Sequence, residues 1–173
     1  MISAIYPGSF DPVTNGHVDI ARRSAGIMGR LVIAVLDNPH KTPLFTVGER
    51  VAMLRETFSE DINIEVESFS GLLADYARKK SIKVIIRGLR SSEDFTKEQP
   101  YAIWNHQLSA GLAGSLETVY FTATPELAHI SGSIVKEVAA HVYPGGLDDI
   151  IITQAVPPIV RTALRDKYSA MRI

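Results

Sequence analysis

The chain contains 173 residues and has a mass of 19.0 kDa, the size of one domain with its own hydrophobic core. It has no cysteine, which excludes disulfides, thiolate metal sites and a cysteine nucleophile. The formal net charge is -1, so no global field attracts nucleic acid and we expect no nucleic-acid partner. The apolar runs are too short to cross a bilayer and no signal peptide opens the chain, so we expect a cytoplasmic protein without a membrane partner.

The apolar residues alternate between short continuous runs, typical of buried strands, and spacings of three and four, typical of helices. In chain order, the predicted elements are a strand over 2–6, a helix over 18–28, a strand over 31–35, a helix over 46–54, a strand over 62–66, a helix over 72–80, a strand over 83–86, a helix over 94–108, a strand over 116–121, and helices over 131–142 and 157–168. The alternating pattern of 62–66 is typical of a strand at a sheet edge.

Local signals mark several of these elements. Thr14 or Asn15 is expected to cap the first helix, and Thr46 with Glu49 forms the pattern of a capping box at the second. Pro100 should kink the fourth helix or cost it a hydrogen bond. We interpret the aromatic residues of that helix, Tyr101 and Trp104, as packing residues. The apolar residues of the helix over 131–142 are expected to face inward, namely Ile134, Val135, Val138 and Val142.

Strands that alternate with helices predict the α/β class, as a Rossmann-like, doubly wound, five-stranded parallel sheet with helices on both faces. We expect a single domain over residues 1–173. In such sheets, ligands bind beyond the carboxyl ends of the strands, near the point where the strand order reverses. The loops after the first, second, fourth and fifth strands are therefore the places where a site is expected.

The loop over 7–17 joins the first strand to a helix N-terminus, where unpaired amides and the helix dipole favour anions. Gly8 and Gly16 allow a phosphate to approach the backbone, Ser9 offers a hydroxyl donor, and His17 can direct an imidazole at a phosphoryl oxygen. A plain turn of prolines and glycines, with His17 on the surface, explains the same residues, and composition alone does not choose between the two.

Three further loops carry groups suited to anions. Lys41 lies between two prolines after the second strand, although a solvated lysine is the simpler interpretation. Arg87 and Arg90 follow the fourth strand and can offer bidentate donors to phosphate, or can be surface arginines. The segment 131–133 opens a helix with two hydroxyls around a glycine, which suits a second phosphate cradle or an ordinary N-cap. No pair of histidines has metal-ligand spacing, so we assign no protein-held metal.

Motifs in these loops extend over nearly the whole chain. They read Tyr-Pro-Gly-Ser-Phe-Asp-Pro over 6–12, Thr-Asn-Gly-His over 14–17, Lys-Thr-Pro-Leu-Phe over 41–45, Ile-Arg-Gly-Leu-Arg over 86–90 and Ile-Ser-Gly-Ser-Ile-Val-Lys-Glu over 130–137. With these motifs the sequence resembles the bacterial phosphopantetheine adenylyltransferases, a family of the nucleotidyltransferase superfamily.

The resemblance implies transfer of the adenylyl group of ATP to 4'-phosphopantetheine, giving dephospho-coenzyme A and pyrophosphate, the penultimate step of coenzyme A biosynthesis. It further implies direct in-line attack, Mg²⁺ carried by ATP, and a homohexamer. His17 takes the role of transition-state stabiliser. The implied ATP-binding residues are Ser9, Phe10, His17, Gly88, Leu89, Arg90, Glu98, Leu127, Ala128, His129, Ile130, Ser131, Gly132 and Ser133. The implied phosphopantetheine-binding residues are Ser9, Lys41, Leu73 and Arg87.

The sequence departs from the family pattern mainly on the adenine side, at Thr96, Lys97, Pro100, Leu127, His129 and Gly132. Two alternatives stay open at this point. One is a sister nucleotidyltransferase with another acceptor, such as nicotinamide mononucleotide. The other is a non-catalytic nucleotide-sensing domain, which would leave Lys41, Arg87, Arg90 and His17 without a shared purpose.

Overall fold

The structure is a computed structural model that describes residues 1–37, 42–110, 114–145 and 149–170. It contains a sheet of five parallel strands, with the bounds β1 Ile2–Gly8, β2 Gly29–Leu36, β3 Ile64–Phe69, β4 Val84–Leu89 and β5 Glu117–Thr122. The strands lie in the order β3-β2-β1-β4-β5, and every neighbouring pair is parallel. The chain therefore places β2 and β3 on one side of β1 and then β4 and β5 on the other, so the strand order reverses between β1 and β4.

Helices cover both faces of this sheet. Their bounds are α1 Asn15–Met28, α2 Val47–Thr57, α3 Leu73–Lys79, α4 Ser92–Ser109, α5 Gly132–Gly145, α6 Ile150–Ala155 and α7 Pro158–Ala170. Alternate residues of β1 supply two separate cores: Ala4 and Tyr6 pack with α1, α2, α5, α6 and α7, whereas Ile5 packs with α3. This division follows from the two-residue period of a strand, and it confirms the predicted doubly wound α/β fold.

Local signals in the sequence explain where most elements begin. The capping box at α2 forms as expected, since the amide of Glu49 donates to Thr46 Oγ1 at 3.2 Å and Glu49 Oε2 accepts from the Thr46 amide at 2.7 Å. Thr14 is the residue that precedes α1. Helix α4 continues through Pro100 from Ser92 to Ser109. Strand β3 lies at an edge of the sheet, as its alternating pattern predicts.

Some predicted details are wrong. The third strand begins at Ile64 rather than at residue 62, and Ile62 is fully exposed because a turn over 62–63 precedes the strand. Helix α6 was not predicted. On α5, Val135 and Val142 are buried, but Ile134 is half exposed. Among the described residues, none of the helices has the length and hydropathy of a membrane-spanning segment.

Candidate active site

A cleft of about 500 Å³ opens beyond the carboxyl ends of β1 and β4, where the strand order reverses. It brings together residues from the loop after β1, the segment before α2, the end of β4, and the segment that leads into α5. The sequence-predicted residues that line it are Ser9, Phe10, His17, Arg87, Gly88, Arg90, Glu98, Leu127, Ile130, Ser131, Gly132 and Ser133. Loops that are far apart in the chain therefore contribute to one site, as the rule for parallel sheets predicts.

Four predicted residues do not line this cleft, and one lies outside the described residues. Leu89 ends β4, Ala128 is partly buried, and Leu73 begins α3 and packs against the second core. His129 is exposed and borders a separate apolar cavity of about 280 Å³ between α5 and α6. Lys41 belongs to the segment 38–41, outside the described residues.

The floor of the cleft is formed by the loop after β1, which is held by aromatic packing. Phe10 is buried and has a φ of 47°, in the left-handed region that a bulky side chain rarely adopts. Its ring meets Tyr6 and His17 edge to face, with centroid distances of 5.4 and 5.2 Å. A Cβ on Gly8 would lie 2.9 Å from the Phe10 ring. Glycine is thus required there because the aromatic ring occupies the space of a side chain.

The imidazole of His17 has a defined tautomer. The backbone amide of Thr14 donates to His17 Nδ1 at 3.0 Å, and the Thr14 hydroxyl lies 2.9 Å from the same nitrogen. An amide can only donate, so Nδ1 is unprotonated in the neutral ring and the proton sits on Nε2. Within the described part of the chain, no group forms a hydrogen bond with Nε2. His17 therefore brings a free N–H donor to the cleft.

The electrostatic surroundings of His17 keep this ring neutral. Burial, with a smaller effect of the Arg90 charge, lowers the pKa of the His17 imidazole from its ordinary 6.5 to about 4. At neutral pH the ring therefore donates through Nε2 as an uncharged group. A neutral donor can stabilise negative charge that develops on a phosphate oxygen without first losing or gaining a proton.

Both predicted arginines of the β4 segment are oriented by carboxylates. Nε of Arg87 lies 2.7 Å from Oε2 of Glu98, and its Nη1 donates to the Pro7 carbonyl at 3.0 Å. The contact with Glu98 is an ion pair without the alignment of a hydrogen bond. Arg90 pairs with Asp94 at 2.9 Å, and its backbone amide also donates to that carboxylate. Two cations are thus preorganised at one wall of the cleft.

The segment 127–133 and the first turn of α5 form another part of the cleft lining. Ser131 Oγ accepts from the Ile134 amide at 3.2 Å, so it acts as an N-cap of α5. A Cβ on Gly132 would lie 3.2 Å from the Asp11 carbonyl oxygen, tighter than ordinary van der Waals contact. This close approach explains locally why glycine suits this position.

Sequence reasoning missed three charged residues that hold the cleft together. Asp11 accepts from the amides of Leu44 and Phe45 at 3.0 and 2.9 Å and from Lys136 Nζ at 2.7 Å. Burial would raise the pKa of this carboxyl, but Lys136 and the two amides hold it below its ordinary value. The sequence contains one signal for the role of Asp11. An acidic residue in a loop suited to anions needs nearby donors or a cation, because its charge must be neutralised locally.

The third missed residue, Arg50, lies in α2 and is 3% exposed. It also lines the cleft and donates to backbone carbonyls from three different segments. The dipeptide Glu49–Arg50 is visible in the sequence, but its spacing in α2 does not distinguish a buried arginine from a solvated one.

Comparison with known proteins identifies the family. A model of the cytidylyltransferase-like family matches residues 5–138. The phosphopantetheine adenylyltransferase of Alkaliphilus metalliredigens is 45% identical over 163 residues, covering 94% of this chain and 97% of the relative. The enzyme of the same name from Lachnoclostridium phytofermentans is 46% identical over 168 residues, covering 97% of this chain and 96% of the relative.

Among solved structures, the fold resembles that of Plasmodium falciparum nicotinic acid mononucleotide adenylyltransferase complexed with NaAD, with a TM-score of 0.68. That likeness covers 99% of this chain and 96% of the other at 12% identity, so it concerns the fold alone. The identity to the bacterial relatives is higher and extends over nearly the full length of the chain, so it identifies the family. The chain belongs to the cytidylyltransferase-like family and, within it, to the phosphopantetheine adenylyltransferases.

Proposed function

We propose that the cleft beyond β1 and β4 is where this enzyme joins its two substrates, beside His17. As a phosphopantetheine adenylyltransferase, the chain transfers the adenylyl group of ATP to 4'-phosphopantetheine and releases pyrophosphate, a step of coenzyme A biosynthesis. The observation that carries the placement is the convergence of Ser9, His17, Arg87 and Arg90 on one cleft at the reversal of strand order.

The reaction requires that the two substrates be positioned correctly, and it does not require a strong base. The attacking phosphate of 4'-phosphopantetheine is already anionic, so it can displace pyrophosphate from the α-phosphorus of ATP in line, without a covalent enzyme intermediate. Negative charge then builds up on the α-phosphate oxygens. His17 Nε2–H is the neutral donor proposed to stabilise that charge, and the fixed arginines orient the phosphates.

We assign the residues that line the cleft to the two substrates. Arg90, Gly88, Glu98 and the segment 127–133 take the ATP side, with the free amides of α5 facing a phosphate. Arg87 takes the phosphate of 4'-phosphopantetheine, and Ser9 and Phe10 lie at the junction of both substrates. Lys41, Leu73, Leu89, Ala128 and His129 keep their proposed roles on the motif resemblance alone.

Mg²⁺ is proposed to enter as the complex of ATP, bound to the phosphates. Among the described residues, no group of three or more acidic or histidine side chains could hold a metal ion. The carboxylates of the cleft are committed to cations, Asp11 to Lys136, Asp94 to Arg90 and Glu98 to Arg87. Mg²⁺ generally keeps several waters and relies on substrate phosphates, so this donor set does not fit a resident protein site.

The test is a pyrophosphate-release assay with ATP and Mg²⁺, run with 4'-phosphopantetheine, with nicotinamide mononucleotide, or without an acceptor. We expect release only with 4'-phosphopantetheine. Release only with nicotinamide mononucleotide would assign a sister activity. ATP binding without any release would support a nucleotide-sensing domain. The His17→Ala variant links the activity to this cleft, because it must lose release while a surface variant does not.

We further propose that the chain assembles as a homohexamer in the cytoplasm. Helix α4 supports an assembly, because Tyr101, Ile103, Trp104 and Leu108 are between 48% and 63% exposed, contrary to the packing role expected for the aromatic pair. Sedimentation equilibrium should give six times the mass of the chain, and Trp104→Glu should lower that mass. A monomeric wild type would contradict the assembly.

A further inference from the structure

We propose that Arg50 is a positioning residue for adenylyl transfer, whose guanidinium holds the Ser9–Phe10 peptide in the orientation that the reaction uses. This inference rests on the proposed function of the cleft, and it concerns a residue that makes no assigned contact with either substrate. Arg50, in α2, is charged and buried, and its hydrogen-bond partners are backbone carbonyls.

Arg50 is 3% exposed, yet within the described parts of the chain it forms no ion pair with a carboxylate. A buried charge without a counter-ion is costly. Arg55, one turn and a half further along α2, is exposed and shows the usual placement of an arginine. The burial of Arg50 therefore needs a reason other than the stability of α2.

The partners of Arg50 supply that reason. Its Nη1 donates to the carbonyls of Ser9 at 2.7 Å and Leu36 at 3.2 Å, and its Nε donates to the carbonyl of Phe45 at 3.0 Å. These carbonyls belong to the loop after β1, the end of β2 and the turn before α2. The planar fork of a guanidinium can reach several acceptors at fixed angles, whereas lysine has one nitrogen. One side chain thus ties together three segments that border the cleft.

The bond to Ser9 has a direct effect on the neighbouring amide. A trans peptide is planar, with its C=O and N–H on opposite sides, so a Ser9 carbonyl that faces Arg50 turns the Phe10 N–H away from Arg50. Among the described residues, this N–H donates no hydrogen bond. It is a free donor in the loop that is proposed to lie at the junction of the two substrates.

The backbone conformation of Phe10 also has to be stabilised by the residues around it. Its φ of 47° is unfavourable for a bulky residue and persists only where the surroundings enforce it. Arg50 holds the peptide before Phe10, and Asp11 holds the other side of the loop through the amides of Leu44 and Phe45. Phe45 is thereby fixed at its N–H by Asp11 and at its C=O by Arg50.

The experiment compares Arg50→Met and Arg50→Lys with wild type and with Arg55→Met as the matched control. Arg55 lies on the same helix, also donates to a backbone carbonyl, and does not line the cleft. Each variant is assayed for kcat and for KM of ATP by pyrophosphate release with 4'-phosphopantetheine. The folded fraction is measured by circular dichroism and urea denaturation, so that rates are expressed per folded molecule.

We expect Arg50→Met to lower kcat about 100-fold, the scale of a displacement of about 1 Å in a catalytic group. KM for ATP should change less than about threefold, since Arg90 and α5 hold the nucleotide independently, and such a split marks an interaction used in the transition state. Arg50→Lys should lie between Arg50→Met and wild type, because it keeps the charge and one or two of the bonds.

Three results would overturn the inference: a folded Arg50→Met with kcat within twofold of wild type, a loss of rate that equals the loss of folded protein, or the same loss in Arg55→Met. The failure of the proposed function looks different. In that case the wild type itself releases no pyrophosphate with 4'-phosphopantetheine.

Discussion

Replacing His17 by alanine removes two interactions at once, and the structure allows their effects to be measured separately. The imidazole accepts a hydrogen bond from the Thr14 amide at the start of α1, and it leaves Nε2–H free in the cleft. The first interaction contributes to the stability of the fold. The second is proposed to stabilise charge in the transition state only.

The two magnitudes differ enough to be told apart. Loss of a helix-capping bond costs about 1 kcal/mol of the free energy of unfolding. Loss of one donor from an oxyanion-type site costs about 3 to 4 kcal/mol of activation free energy, or about 100- to 1000-fold in kcat. His17→Ala should therefore remain folded at room temperature and lose nearly all turnover. KM for ATP should change little, because ground-state binding is shared with the arginines.

Urea denaturation and the pyrophosphate-release assay measure the two effects on the same preparations. His141→Ala is the matched control, since His141 is exposed on α5 and hydrogen-bonds only within its own helix. It should leave kcat within about twofold of wild type. A His17→Ala enzyme that keeps kcat within about tenfold of wild type would show that the imidazole does not stabilise the transition state.

Three other predictions concern the same cleft. The pKa of His17 is 6.5 in the unfolded chain and about 4 in the folded protein, so as the pH falls the unfolded chain takes up this proton at a higher pH than the folded protein. The free energy of unfolding of wild type should therefore decrease between pH 6.5 and 4 more than that of His17→Ala. Asp11→Asn should cost about 1 to 3 kcal/mol in urea denaturation, because the Lys136 ammonium loses its counter-ion and asparagine offers one acceptor oxygen where the Leu44 and Phe45 amides use two. The exposed pair of Asp61 gives the control, with less than about 1 kcal/mol for Asp61→Asn. Gly8→Ala should lose about 1 to 3 kcal/mol and lower kcat, since the added methyl overlaps the ring beside the imidazole. Gly26→Ala, in a helix and in open space, should instead gain about 1 kcal/mol, and a loss there would contradict this interpretation of the glycine contacts.

The periodicity of the sequence was sufficient to predict the sheet and one of its edges, because the apolar pattern within a strand depends on how that strand is buried. Buried runs such as 31–35 become β2 at the interior of the sheet, and the alternating 62–66 region leads into the edge strand β3. The rule that ligands bind at the carboxyl ends of parallel strands then located the cleft. Both steps need only local pattern and topology.

What escaped prediction depends on contacts between distant residues. Helix α6 has Ile150 and Ile151 exposed and Ile152 buried, so its three isoleucines do not form an amphipathic face. The ion pair of Asp11 and Lys136 joins positions 125 residues apart. No spacing rule relates such positions, and only the folded chain shows that the two charges meet.

The pairing of charges in the cleft explains how a protein with a net charge of -1 can hold a polyanion. Arg87, Arg90 and Lys136 each lie within 2.9 Å of a carboxylate, so their positions are set before any ligand arrives. An incoming phosphate must exchange with these carboxylates or share their cations, which reduces the net gain from each contact. Two donors that meet no such competition in the described structure are uncharged, the Nε2–H of His17 and the Phe10 amide. Discrimination between ground state and transition state is therefore expected to come from these neutral donors, while the arginines mainly determine where the phosphates lie.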